Sequence, residues 1–194
     1  RAMRARRVLA QTMMGAEQAA MTSDDRFATC LLIPPDVFAP GRYGVDYAGA
    51  AQRIAQAALA MGARDVQPLC LDEQATEFCL APLCEDECFV LHVQLQTSEQ
   101  IAWFAGLMER HDRLRALAHA TESIECELIR AASACDRLLV CLTDTSHLQV
   151  ALDRLGTRFL AYSAGASFPE QMLGRWACAK EAIWQALYAA YLPL

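Results

Sequence analysis

Six short apolar runs punctuate the chain, at 28–33, 65–70, 88–95, 114–118, 137–142 and 158–162, and most are separated by a stretch of helical length. Between Tyr47 and Met61, Ala51, Ile54, Ala55, Ala58 and Leu59 share one helical face and Gly62 supplies a left-handed stop. Thr97 to Arg110 repeats the pattern with Ile101, Phe104, Ala105 and Met108. Thr121 opens a third helix in which Ile124, Leu128 and Ile129 pack inward and Glu122, Glu125 and Glu127 include solvent-facing positions. The clearest unit is Cys135 to Ala166. There a strand at 137–142 meets helix-starting oxygens at Thr143 to Ser146, then a helix carrying Leu148, Ala151, Leu152 and Leu155, a stop at Gly156 and a second strand. Pro169 to Tyr191 carries Leu173, Trp176, Ile183, Trp184, Leu187 and Tyr188 at helical spacing.

Runs that are apolar throughout, rather than alternating, expect cover on both faces, and helical connections favour parallel pairing. The pattern therefore predicts an α/β fold. Its core is a three-layer, doubly wound, mainly parallel sheet of about six strands, Rossmann-like, with flanking N- and C-terminal helices. One domain over 1–194 is expected, with an amphipathic helix at 1–22, the core at 28–167 and the last helix at 169–191. No internal repeat, low-complexity tract or linker is visible.

Composition narrows the class. With 55% hydrophobic and 21% charged residues the 194-residue chain can bury a core without staples. No apolar stretch reaches the roughly 20 residues a bilayer requires. A net charge of -6 argues against a nucleic-acid binder that must neutralise many phosphates. The nine cysteines are odd in number and mostly lie in apolar runs, so they read as reduced thiols of a cytoplasmic protein. Cys79, Cys84 and Cys88 cluster without a CxxC pair or a nearby histidine, and they read as a loop running into a strand rather than a metal site. No cofactor is expected.

In open α/β sheets, ligands bind beyond the carboxyl ends of the strands. After the first run comes a Pro/Gly loop holding Gly41, Arg42, Tyr43, Gly44 and Asp46, just before a helix start whose free amides could take an anion or a sugar hydroxyl. The spacing is not GxGxxG, and neither GxxxxGK[ST] nor GxSxG occurs. The fourth run ends at Ala118, His119, Ala120, Thr121 and Glu122, which places a titratable imidazole where a strand meets a helix. His119 is the catalytic candidate. His92 reads as structural, His111 as exposed, and His147 sits in the first turn of its helix.

The order of these features resembles the N-terminal, acceptor-binding domain of GT-B glycosyltransferases, in particular their large retaining group. It runs from the Gly41 to Gly44 loop through the helix to Gly62, the strand from Asp65, Val90 to Val93, the Ala118 to Glu122 junction, and a helix ending at Asp136 before a strand and a Ser/Thr-rich turn. The resemblance implies that Gly41, Arg42, Tyr43, Gly44 and Glu122 contact substrate and that His119 lines the acceptor side. It also implies a nucleotide-sugar donor, an acceptor, and a second domain or partner chain to complete the cleft. A second reading, independent of the resemblance, is a non-catalytic binding or scaffold protein that associates through its aromatic C-terminal helix.

Overall fold

The structure is a computed structural model and describes residues 8–14, 27–143, 145–160 and 169–191. It is α/β: a parallel sheet with helices packed on it, in a Rossmann-like arrangement. Among the described residues the sheet has seven strands, β1 (Val8–Met13), β2 (Phe27–Ile33), β3 (Asp65–Pro68), β4 (Val90–Leu95), β5 (Arg115–Ala120), β6 (Leu138–Cys141) and β7 (Phe159–Leu160). Six of them fall on the apolar runs. The seventh, β1, is a correction: Val8–Met13 lies inside the segment expected to be helical, and its alternative is a full parallel ladder with β2 from Val8↔Phe27 to Met13↔Leu32. Pairing along a strand edge outweighs local helix preference here. The rest of the expected 1–22 helix lies outside the described residues.

Strand neighbours follow chain order from β1 to β7. Among the described residues the strand order therefore shows no reversal, which is the feature that opens a ligand crevice in doubly wound folds.

The chain divides into two compact units, residues 1–93 with 109–116 and residues 94–108 with 117–194. In the first, β2 pairs with β3 from Cys30↔Asp65 to Ile33↔Pro68, and β3 with β4 at Asp65↔Val90 and Val66↔Leu91. Helix α1 (Tyr47–Ala60) starts where the Asp46 carboxylate accepts the Gly49 N–H at 2.9 Å. It buries Ala50, Ile54 and Ala58, so its inner stripe is rotated from the expected one and Leu59 is exposed. The segment expected to be a loop is helical instead. It comprises α2 (Glu73–Ala75), a π turn (Thr76–Leu80) and α3 (Ala81–Glu87), with Cys79 and Cys84 buried and Cys88 closing it at φ 58. Pro82 masks this helix in the sequence, yet it occupies the opening turn of α3, where a missing N–H costs a helix least.

The second unit holds most of α4 (Ser98–Arg110), then a 3-10 turn (Glu122–Ile124), α5 (Glu125–Ser133), α6 (Leu148–Leu155) and α7 (Pro169–Tyr191). The strand, helix and strand cassette is present as expected. β6 and β7 pair in parallel at Val140↔Phe159 and Cys141↔Leu160, and Gly156 ends α6 with φ 61. The helix start differs from expectation, because His147 is the N-cap and makes no side-chain cap bond, while the Thr143 hydroxyl is used elsewhere.

Burial corrects two further expectations. The strands are apolar along their length, yet their faces differ. Phe89, Leu91, Val93 and Leu95, then Leu114, Ala116, Ala118 and Ala120, then Leu138, Val140 and Leu142 are all sealed. On the opposite face only His92, Leu117 and Cys141 are buried, while Gln94, Arg115, Leu139 and Thr143 reach solvent. The pattern recurs because the strands return at near-even spacing, as in a structural repeat. Strands β3 to β7 begin at 65, 90, 115, 138 and 159, and Asp112-Arg113-Leu114 returns as Asp136-Arg137-Leu138. An arginine stands ahead of β5, β6 and β7; the first pairs with a carboxylate side chain, and the other two reach carbonyls near the end of an earlier helix. Arg113 reaches Asp86 in α3 at 3.8 Å, Arg137 Nη2 donates to Met108 O in α4 at 2.7 Å, and Arg158 Nη1 donates to Ala132 O in α5 at 3.3 Å and to Cys135 O at 2.9 Å. A cation at the end of an earlier helix offsets the negative pole of its dipole and occupies orphan carbonyls.

Candidate functional site

The residues expected to contact substrate fall in both units. Gly41, Arg42, Tyr43 and Gly44 form one reverse turn in the first unit. There Gly41 N–H donates to Gly44 O at 2.8 Å and Gly44 N–H donates back to Gly41 O at 3.2 Å. Gly44 has φ 100, which only glycine holds without strain. Arg42 lies over the Tyr43 ring at 5.6 Å and Tyr43 points into solvent. Both glycine amides are thus spent on each other, and the α1 start behind them is filled by the Asp46 carboxylate, against which a Cβ on Gly49 would collide. An anion approaching this turn meets the Asp46 carboxylate, and the Gly41, Gly44 and Gly49 amides are already engaged.

His119 and Glu122 lie in the second unit, at the carboxyl end of β5. His119 is half-buried on the strand and Glu122 is exposed on the 3-10 turn that follows. Of the four histidines, the other three each face a carboxylate. His92 Nε2 meets Asp65 Oδ1 at 3.0 Å, a buried pair on adjacent strands, consistent with its structural reading. His111, expected to be exposed, has only 18% of its side chain exposed and its Nδ1 lies 2.8 Å from Glu85 Oε2. Burial pushes the Glu85 carboxyl up, but hydrogen bonds from His111 and the Arg113 N–H, with the charges of both residues, leave it below the usual carboxylate range.

The third pair is built most deeply. Glu125 opens α5 and is fully buried. Its Oε1 accepts the Thr143 N–H at 2.7 Å and the Thr143 hydroxyl at 2.9 Å, and its Oε2 lies 2.8 Å from His147 Nδ1. A carboxylate only accepts, so Nδ1 carries the proton, and in the neutral form of the ring the lone pair stands on Nε2. The positive pole of α5 favours a carboxylate at this position. Three segments converge here: the start of α5, the residue run leaving β6, and the start of α6. Sequence reasoning did not single Glu125 out from Glu122 and Glu127. The signal that does so is spacing, since Glu125 stands three and four residues before the inward Leu128 and Ile129 and so shares their face.

Thiol chemistry is quiet in the core. Burial, with Asp65 beside it, pushes the Cys30 thiol up to about 12, and burial pushes Cys79 up to about 11 despite Arg53. All nine cysteines are free, and Cys70, Cys88 and Cys178 are exposed.

Helix α7 presents a different kind of surface. Between 177 and 189 its only buried residue is Ala179; Ile183 and Leu187 are half-buried, and Trp184 and Tyr188, one turn apart, are 65% and 57% exposed. No helix among the described residues is long and apolar enough to cross a membrane. Comparison with protein-family models, curated proteins and solved structures gives no match.

Proposed function

We propose that this chain is an α/β binding or scaffold protein that associates with a second copy of itself through α7. The observation that carries this reading is the exposure of Trp184 and Tyr188 on successive turns of a helix whose apolar residues recur on most of its faces. A helix apolar nearly all round is stable in water when something covers it. The exposed stripe of Ala177, Glu181, Trp184 and Tyr188 follows helical spacing, with Lys180 beside Glu181, so it carries both charge signs. A surface with both signs can complement itself across a two-fold axis. The acceptor half of a glycosyltransferase is the competing reading. At the Gly41 turn the two glycine amides pair with each other and the Gly49 N–H is taken by Asp46, which leaves fewer donors for a phosphate or sugar there.

Light scattering over a concentration series tests the proposal. The wild-type chain is expected to shift from monomer to dimer, and Trp184→Ala with Tyr188→Ala to stay monomeric with unchanged circular dichroism. A wild-type chain that remains monomeric at every concentration overturns it. A calorimetric response to nucleotide sugars would restore the transferase reading.

A further inference from the structure

We propose that His147 is a nucleophilic histidine, oriented by Glu125, that accepts acyl groups from activated carbonyl compounds. The reading goes beyond assembly and uses no part of α7. His147 combines features that the other histidines lack together. Its ring is held from behind by a carboxylate with no exposure of its own, it stands at the carboxyl end of β6, and its side chain is still 23% exposed. Among the described residues Nε2 has no hydrogen-bond partner. His111 has a comparable bond, but it precedes β5, at the amino end of the sheet, and its Glu85 is also drawn toward Arg113. His92 is buried.

The chemistry follows from the tautomer. With Nδ1–H held on Glu125 Oε2, the Nε2 lone pair attacks the carbonyl carbon and forms an N–C bond while the C–O bond breaks and the oxygen leaving group departs with its electron pair. Positive charge on the ring is stabilised by the carboxylate behind it, the role a buried acid plays in acyl-transfer triads. Water then adds to the acyl carbon and gives up one proton, through solvent, to the departed oxygen leaving group; the N–C bond breaks, a carboxylic acid leaves and the starting tautomer returns. The net change is hydrolysis of the acyl donor. Glu125 is a positioning residue here. Glu125→Gln keeps an oxygen for Thr143 but turns an NH2 group toward Nδ1, which forces the proton onto Nε2 and removes the lone pair from the exposed side.

The test uses diethylpyrocarbonate on the full chain, with site-resolved rates from peptide mapping and N-acetylhistidine as reference. His147 should be acylated about tenfold or more faster than the reference, an orienting gain of about a hundredfold reduced by its partial burial. Glu125→Gln should lower that rate at least about tenfold while His111 labelling and circular dichroism stay unchanged. A His147 rate at or below the reference, or one unaffected by Glu125→Gln, overturns the proposal. Should Glu125→Gln unfold, nitrogen-15 NMR of the wild-type ring decides: an Nδ1–H tautomer supports the proposal and an Nε2–H tautomer overturns it.

Discussion

Replacing Glu125 by Ala removes the one fully buried carboxylate among the described residues and its three hydrogen bonds at once. Each bond to a charged group is worth about 1.5–3 kcal/mol. Two effects shrink the total. The buried carboxylate carries a desolvation cost of several kcal/mol that disappears with it, and Thr143 is exposed and His147 partly so, which lets water replace the lost acceptor. The balance is a loss of about 2–4 kcal/mol. Against a typical domain stability of about 5–15 kcal/mol the variant still folds at 25 °C. Urea unfolding followed by circular dichroism measures it. With a slope of about 2 kcal/mol/M the midpoint should fall by about 1–2 M while the slope itself holds. A midpoint shift under about 0.3 M, or an increase, would refute the reasoning, because it would mean that desolvation of Glu125 cancels everything its partners supply. A double cycle with His147→Ala should return a coupling of about 1–2 kcal/mol, since the residues touch.

Three further outcomes follow from the same geometry. Glu85 titrates below the usual carboxylate range, so the unfolded chain binds its proton first as pH falls. Its stabilisation is whole above about 4.5, the ordinary value, and is lost as pH drops through the lowered one, so Glu85→Gln should flatten the acid limb of a stability-versus-pH curve. Gly44→Ala places a Cβ at φ 100 and should cost about 1–2 kcal/mol in a thermal melt although the turn is exposed. Ellman's reagent should react fast with Cys70, Cys88 and Cys178, and with Cys30, Cys79 and Cys84 only after unfolding.

Much of the sheet is legible in the sequence because a buried parallel strand must be apolar, and few other segments of this chain are. β2 through β7 and the bounds of α1, α4, α6 and α7 follow from that rule. What was not legible depends on partners distant in sequence. β1 exists because β2 offers an edge, and nothing in Val8–Met13 itself outvotes a helix. The 73–87 helix was hidden by Pro82 and three cysteines. The repeat was hidden because equivalent sealed positions carry different residues, Phe89, Leu114 and Leu138 at one and Leu91, Ala116 and Val140 at the next, so that size differs where burial agrees. For the candidate site, His119 was found because strand ends are the place to look. The Glu125 cluster needed α5 and the end of β6 brought together, and no local pattern states that Thr143 will meet a residue 18 positions earlier.

Strand neighbours that follow chain order also bear on how the chain reaches its fold. From β3 onward each new strand joins the one made just before it, across a start-to-start separation of 25, 25, 23 and 21 residues. The entropy of closing each loop is therefore nearly the same, since it grows only with the logarithm of length. No pairing has to wait for a distant segment. Such a chain can begin ordering at any internal strand and extend outward one neighbour at a time, so its rate should depend on the quality of adjacent contacts more than on total length.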